Sequence, residues 1–160
     1  MRVFPRLFPL VLVLLTIGCD RVTKHLAGET LSDQAPRSYL AGIVRLEYAE
    51  NTGAFLGAGS GLPVWARFGL FRVGVALTLA AVVFVALKDR WTGLLLAGAA
   101  FVFAGGISNL FDRVARDSVI DFMSVGVGPL RTGIFNVADL AIVLGGALIV
   151  RGIQSGSRKR

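Results

Sequence analysis

Four long apolar runs alternate with polar segments along the chain. They cover residues 7–20, 68–87, 93–110 and 135–150. Because a helix needs about 20 mostly apolar residues to cross the hydrocarbon of a bilayer, each run predicts a transmembrane helix. The first and last runs are short, which favours helices that begin or end inside the protein or in the membrane interface. The pattern predicts an integral membrane protein, mainly α-helical, with four spans.

Two polar segments, residues 21–64 and 111–134, are long enough to fold outside the membrane. Apolar and polar residues alternate from Ile43 to Tyr48, which predicts a short strand, and the stretch VIDFM (residues 119–123) predicts another. We therefore expect a small β-sheet at the membrane surface. Four glycines follow the first strand and predict a mobile outer loop: Gly53, Gly57, Gly59 and Gly61.

Composition supports the membrane class. The chain has 160 residues, of which 54% are hydrophobic, and its mean hydropathy is +0.70. Soluble domains carry more charge and lack such long apolar runs. The length predicts a single membrane domain over residues 1–160. Cys19 is the only cysteine, which excludes an internal disulfide.

The distribution of basic residues predicts the orientation. Three short pieces, residues 1–6, 88–90 and 151–160, together hold eight Lys or Arg and one acid. Short loops rich in Lys and Arg stay in the cytoplasm, so we expect both termini there and the two long segments on the outer, periplasmic face. The net charge of +7 is then mostly this orientation signal. No soluble basic face is visible, which excludes nucleic-acid binding.

Polar side chains collect near the outer end of the predicted spans, where they indicate a functional site. Two carboxylates that meet there can share one proton, so that one acts as general base on water and the other as general acid. This arrangement favours peptide hydrolysis by an aspartic dyad. His25 is the only histidine and no CxxC or HExxH motif occurs, so we expect no metal cofactor. The polar residues are Asp20, Lys24, Asn51, Asn109, Asp112, Arg113, Asp121, Asn136 and Asp139.

Several of these residues also have a structural explanation. Asn136 and Asp139 are spaced like the N-cap and N3 residues of a helix, where they would satisfy backbone amides. Asp20 and Lys24 are spaced for an ordinary ion pair on one helix face. Arg72, near the start of the second run, is expected to extend its side chain to the outer interface. None of these explanations accounts for the collection of polar residues at one level.

Four motifs resemble those of the lipoprotein signal peptidases, bacterial signal peptidase II. They are CDRVTK (19–24), ENTGAF (50–55), SNLFDRVARDSVIDF (108–122) and FNVADLAI (135–142), in that family's order and spacing. The resemblance covers residues 7–150. It implies a four-helix aspartic endopeptidase of the inner membrane, with a small periplasmic sheet beside its site. Such enzymes remove signal peptides from diacylglyceryl-modified prolipoproteins, cutting just before the lipidated cysteine.

The resemblance also implies roles for individual residues. The catalytic pair falls on Asp121 and Asp139. Residues that line the site and hold the substrate backbone fall on Asn51, Gly53, Asn109, Arg113 and Asn136. Supporting residues fall on Asp20, Lys24 and Asp112. The expected partners are lipidated prolipoproteins and membrane phospholipid, with no cofactor, and we expect a monomer.

Three departures from the family pattern lie near the implied site. The stretch NTGAF (51–55) has one alanine fewer than the usual Asn-x-Gly-Ala-Ala-Phe. Ser108 replaces a usual glycine, and Leu140 replaces a usual serine. These departures predict a divergent member and leave open a paralogue with altered substrate preference or inhibitor sensitivity.

Two non-enzymatic interpretations also stay open. The first 20 residues resemble a lipoprotein signal peptide, which would make Cys19 a lipidated residue and the protein a substrate. Thr16 is a poor residue at its position for that reading, and three further spans follow. A membrane binding protein or small transporter would also use a polar cluster. Transporters place such residues at broken helices near the midplane, whereas these acids collect at one end.

Overall fold

A computed structural model describes residues 4–54 and 57–157. The motif residue Phe55 and the basic residues at 1–3 and 158–160 lie outside the described residues. The elements, in chain order, are α1 (Phe4–Leu31), β1 (Arg37–Tyr39), β2 (Val44–Asn51), α2 (Val64–Phe68), a π-helical turn (Gly69–Gly74), α3 (Val75–Lys88), α4 (Gly93–Arg116), β3 (Val119–Val127), β4 (Leu130–Arg131) and α5 (Val137–Ser157).

Three helices of the described chain are long and apolar enough to cross a membrane. They are Val64–Lys88, in which α2, the π-helical turn and α3 run on as one helix, Gly93–Arg116, and Val137–Ser155. Helix α1 is also long, but Asp20, Arg21 and Lys24 interrupt its apolar run. The mainly helical class with a small sheet is confirmed, and the fourth span stays a prediction.

Helix α1 continues well past the first apolar run and ends at Leu31. Residues 21–31, which the sequence pattern assigned to an outer segment, are therefore helical. The buried side chains of Ala27 and Leu31 pack against Phe122 of β3, so this part of the helix has an apolar face of its own. That packing fixes the sheet to the outer end of α1.

Glycines bring α4 and α5 together, backbone against backbone. A Cβ atom added to Gly98 would lie 2.6 Å from the carbonyl oxygen of Gly145, and the reverse distance is also 2.6 Å. Near the start of α5, Gly105 lies against the Ala138 carbonyl, again with no room for a side chain. Small residues at such positions let membrane helices pack closely. As a consequence, Asn109, one turn beyond Gly105, faces the start of α5.

The sheet is antiparallel, with the strand order β1-β2-β3-β4. Its register places Ala49 opposite Asp121 and Asn51 opposite Val119, after an irregularity between Leu46 and Ala49. Both predicted strands are present, and β3 runs on to Val127. The register is what brings the end of β2 to the start of β3.

The chain after β2 folds tightly back on itself. The Ala54 N–H donates to the Ala58 carbonyl at 2.7 Å, and the Gly57 N–H donates to the Ala54 carbonyl at 3.0 Å. Gly53 sits so close to this turn that a Cβ atom there would lie 2.5 Å from the Ala58 oxygen. We call residues 53–54 and 57–61 the glycine segment. Its mobility stays a prediction.

Candidate active site

Asp121 lies on β3 and is only 2% exposed. Its Oδ2 accepts a hydrogen bond from Asn51 Nδ2 at 2.9 Å, and its Oδ1 accepts one from Asn136 Nδ2 at 2.6 Å. Burial raises the pKa of Asp121 from 3.8 to about 6, since a buried carboxylate loses its hydration. The negative charge of Asp139 acts in the same direction, and the two amide hydrogen bonds oppose the rise.

Asp139 lies in the first turn of α5. Its Oδ1 accepts from Asn109 Nδ2 at 2.9 Å, and its Oδ2 accepts from the backbone N–H of Asn136 at 3.2 Å. In return, the Asp139 N–H donates to Asn136 Oδ1 at 2.9 Å. This reciprocal pair is a capping box, so the helix-cap explanation is confirmed. It uses only one oxygen of Asp139 and leaves the other facing Asn109.

Asn136 joins the two acids. It contacts Asp121 through its side-chain amide and Asp139 through its backbone N–H. Two carboxylates that are separate in sequence therefore lie on either side of one asparagine. Among the described residues, no Lys or Arg forms an ion pair with either carboxylate. We call this group the carboxylate–amide site; its members are Asn51, Asn109, Asp121, Asn136 and Asp139.

A second buried group lies beside the first. Lys24 Nζ is 2.7 Å from Asp20 Oδ2 and 2.8 Å from Asp112 Oδ2, and Arg21 also pairs with Asp112. We call these four residues the charge cluster. The predicted ion pair between Asp20 and Lys24 is confirmed. Lys24 Nζ also donates to Asn109 Oδ1 at 2.7 Å, which connects the charge cluster to the carboxylate–amide site.

Asp20 ties three helices together. Its Oδ1 accepts from the Ala138 N–H at 2.9 Å, near the start of α5, and its Oδ2 accepts from Ser108 Oγ at 2.6 Å. Ser108 is one of the departures noted in the sequence, and it is buried. Its hydroxyl therefore has a defined partner. The sequence does not reveal this bond, because it depends on how α1 packs against α4.

Arg113 reaches from α4 to the glycine segment, where its Nη2 donates to the Gly53 carbonyl at 2.7 Å. Arg72, on the π-helical turn, donates from Nε and Nη2 to the Arg113 carbonyl at 2.9 and 2.6 Å and pairs with Asp117. The expectation that Arg72 extends to the outer interface stays a prediction. The Arg113 carbonyl also accepts from the Asp117 N–H at 3.2 Å, so Arg72 adds a second donor where α4 ends.

An open pocket of about 230 Å³ reaches Asp121 from outside the bundle. It lies between the end of β2 and the glycine segment, so the buried carboxyl can meet a ligand without unfolding of the helices. The lining residues are Ala49, Glu50, Asn51, Thr52, Gly57, Ser60, Asp121 and Ile134.

All ten residues that the sequence singled out therefore lie in one hydrogen-bonded network. The sequence did not predict the contacts that three further residues make with this network: Arg21, Arg72 and Ser108. Chemically, two neighbouring buried carboxyls without a paired cation can hold one proton between them, which suits general acid–base chemistry.

Comparisons with known proteins agree with this geometry. The model of the family described as Signal peptidase (SPase) II matches residues 12–154. The lipoprotein signal peptidase of Syntrophus aciditrophicus (strain SB) is 34% identical over 148 residues, which cover 89% of this chain and 91% of that protein. The chain belongs to the signal peptidase II family. The lipoprotein signal peptidase of Chlorobium luteolum (strain DSM 273 / BCRC 81028 / 2530) is also 34% identical, over 88% of this chain and 87% of that protein.

Two solved structures share the fold. One, described as a bacterial membrane enzyme solved by the in meso method at 2.3 Å, is 23% identical, with a TM-score of 0.84 over 96% of this chain and 91% of that chain. The other, described in the same words at 1.9 Å, is 22% identical, with a TM-score of 0.76 over 91% of this chain and 92% of that chain.

Membership of the signal peptidase II family decides between the interpretations left open by the sequence. The protein is a peptidase of a multi-pass membrane type, which favours the enzyme over a binding protein or a transporter. The family match begins at residue 12, so Cys19 lies within sequence that belongs to the peptidase itself. This disfavours a lipidated Cys19. The effect of the departures at 51–55, Ser108 and Leu140 stays a prediction.

Proposed function

We propose that this signal peptidase cleaves diacylglyceryl-modified prolipoproteins just before the lipidated cysteine, with Asp121 and Asp139 as the catalytic pair. One observation carries the proposal. Two buried carboxyls lie on either side of Asn136, neither is paired with a cation among the described residues, and Asp121 is reachable through an open pocket.

The two acids divide the chemistry between them. With its raised pKa, Asp121 carries the shared proton in acidic to near-neutral solution and donates it to the oxygen of the scissile carbonyl. Asp139 takes a proton from the attacking water as the water oxygen bonds to the carbonyl carbon. When the tetrahedral intermediate collapses, the proton on Asp139 passes to the leaving nitrogen and the C–N bond breaks. One hydroxyl of the intermediate returns its proton to Asp121 as the C=O bond of the new carboxyl group forms, so the dyad is singly protonated again.

The residues around the pocket place the substrate. Asn51 lies at the pocket and holds Asp121 from one side, while its Oδ1 accepts from the Gly53 N–H at 2.9 Å. Arg113 holds the other face of the glycine segment through the Gly53 carbonyl. We propose that this segment and the end of β2 bind the extended peptide backbone around the cleaved bond.

The burial of charged side chains on α1 supports a fourth transmembrane span. Asp20 and Lys24 interrupt the apolar run of α1, yet both are almost fully buried between helices rather than exposed to lipid. Helix α1 can therefore act as a fourth span without placing an unpaired charge in hydrocarbon. Its outward face is apolar, with exposed side chains at Leu7, Phe8, Leu10, Val11, Leu14 and Leu15.

With four spans, the density of basic residues supports a topology with both termini in the cytoplasm and the carboxylate–amide site near the periplasmic face of the inner membrane. The substrates are then lipidated prolipoproteins that are held in the same bilayer. We expect the protein to act as a monomer surrounded by membrane phospholipid, since every residue proposed for catalysis comes from one chain.

The test is cleavage by the purified protein in liposomes. A diacylglyceryl-modified prolipoprotein is incubated beside the same precursor without the lipid, and the products are identified by mass spectrometry. The proposal predicts one cut, immediately before the lipidated cysteine, and little or no cleavage of the unmodified precursor. A cut at another bond, or equal cleavage of both precursors, would contradict the proposed substrate.

A further inference from the structure

Among the described residues, Lys24 is the one cation that contacts both the charge cluster and the side chains of the carboxylate–amide site. Its Nζ contacts Asp20 and Asp112 in the charge cluster and donates to Asn109 Oδ1 at 2.7 Å. Lys24 is 1% exposed, so water does not compete for these bonds. The ion pairs explain why the charge can be buried. They do not explain why the ammonium also donates to an amide of the carboxylate–amide site.

The contact dictates which way Asn109 faces. A lysine ammonium only donates hydrogen bonds, so it must meet the oxygen of the Asn109 amide and not its nitrogen. The Nδ2 of Asn109 is thereby turned the opposite way, where it donates to Asp139 Oδ1 at 2.9 Å. Asn136 Nδ2 also donates to Asn109 Oδ1, but at 3.3 Å. Without Lys24, only this longer bond opposes a half-turn of the amide that would present its oxygen to the carboxyl.

We infer that Lys24 is a positioning residue for the peptidase reaction, because it fixes the Asn109 amide with its N–H towards Asp139. The inference rests on the proposed function, in which Asp139 takes the proton from water. A carboxylate held by a donor keeps its other lone pairs aimed at the water. A carboxyl that faces an amide oxygen must instead hold a proton on that side, where it cannot act as the base.

Arg21 provides a matched comparison for a purely structural role. It lies on the same helix, carries the same charge and pairs with the same Asp112. No hydrogen bond joins Arg21 to Asn109 among the described residues, whereas Lys24 makes one. If Lys24 only stabilised the fold, loss of either cation would affect the reaction in the same way.

The experiment compares two double variants, each of which loses one ion pair of the charge cluster and keeps the other. They are Lys24→Met/Asp20→Asn, which keeps Arg21 with Asp112, and Arg21→Met/Asp112→Asn, which keeps Lys24 with Asp20. Cleavage of the lipidated precursor is measured in liposomes, after thermal unfolding has shown how well each variant folds. We expect the Lys24 variant to lose at least about tenfold in kcat with KM within about threefold, as misplacement of a reacting group does. The Arg21 variant should keep kcat within about threefold of that of the wild type.

A second comparison shows whether Lys24 acts through Asn109. The Lys24→Met/Asp20→Asn change is repeated in an Asn109→Ala background, where it should lower kcat no further. Additive losses would overturn the inference, because Lys24 would then act without Asn109. Equal kcat values in the two double variants would also overturn it.

An NMR measurement that needs no substrate tests the inference independently of the proposed function. In detergent micelles, the side-chain amide signal of Asn109 is identified in an NMR spectrum by its absence from Asn109→Ala. The signal should shift in the Lys24 double variant and stay in place in the Arg21 double variant. Unchanged shifts in both would overturn the positioning role. If the wild type fails to cut the lipidated precursor, the proposed substrate fails, while this spectrum still decides whether Lys24 orients Asn109.

Discussion

The charge cluster and the carboxylate–amide site are neighbours, and each contains two buried carboxylates, yet their surroundings differ. Lys24 lies within 2.8 Å of both Asp20 and Asp112. Asp121 and Asp139 are held instead by side-chain amides and a backbone N–H. The first pair has its charge balanced directly, whereas the second pair has hydrogen bonds without an opposite charge.

The difference separates acids that hold the structure from acids that can exchange protons. An opposite charge in direct contact favours the ionised form of a carboxylate. A buried carboxyl that contacts only neutral donors keeps both forms within reach of ordinary pH, as the pKa of Asp121 at about 6 shows. Functional acids of this kind are kept at a cost in stability. Four expectations test this contrast, from the largest effect to the smallest.

The largest effect is expected in the charge cluster. Asp112→Ala leaves Lys24 and Arg21 with one fewer carboxylate in a buried site, which typically costs about 3–5 kcal/mol of folding free energy. The apparent Tm in detergent should fall by many degrees. A Tm within about one degree of the wild type would show that the buried ion pairs do not hold the helices together. Glu29→Ala, at an exposed position of the same α1, serves as the control.

The opposite behaviour is expected at Asp121. Because its pKa in the folded protein lies above 3.8, the folded state binds the proton more tightly than the unfolded chain does. This stabilisation is complete below about pH 4 and is lost as pH rises through about 6. Relative to Asp121→Asn, which does not titrate, the wild type should lose up to about 3 kcal/mol between those limits. Tm values of both proteins from pH 4 to 8 measure the difference; a constant difference would contradict it.

The pH dependence of the reaction is the third expectation. If protonated Asp121 is the acid, kcat/KM should fall about tenfold for each pH unit above about 6. Rates in liposomes from pH 4 to 9 measure this limb, with solvent viscosity varied to establish that chemistry limits the rate. A profile that is flat over the whole range with chemistry limiting would rule out the shared-proton dyad.

The smallest effect is expected when Arg72, which supports the glycine segment through Arg113, is replaced. Arg72→Met releases the end of α4 that carries Arg113, and with it the bond to Gly53. We expect KM to rise by a few fold, or about 1 kcal/mol, with kcat nearly unchanged. Arg67→Met is the matched control, since Arg67 Nε has no hydrogen-bond partner among the described residues. Equal KM values in the two variants would remove Arg72 from this role.

Much of the fold could be predicted from local patterns. The apolar run at 93–110 lies within α4, which begins at the predicted residue, and both strands were visible from their alternation. The pattern did not show that α1 continues to Leu31, because Asp20 and Lys24 look like the end of a span. Lys24 pairs with Asp20 on the same helix and with Asp112 of α4, and a local pattern cannot show the contact with α4.

In the candidate site, too, some contacts could be predicted from local spacing and others could not. The spacing of Asn136 and Asp139 gives the capping box directly. The meeting of Asp121 with Asn51 depends on the register of β2 on β3, which shifts at an irregularity between Leu46 and Ala49. The contacts of Arg72 with Asp117 and the Arg113 carbonyl could not be predicted, because they depend on how its helix packs against α4.

The most direct test of the central claim is cleavage of a diacylglyceryl-modified prolipoprotein by Asp121→Asn and Asp139→Asn, beside the wild type and Asp112→Asn. All four proteins are checked for folding by thermal unfolding in the same detergent. The account predicts that both site variants fold and lose at least about a thousandfold in kcat, whereas Asp112→Asn loses stability and keeps most of its kcat. If a folded Asp121→Asn or Asp139→Asn protein cleaves at the wild-type rate, these two acids are not the catalytic pair.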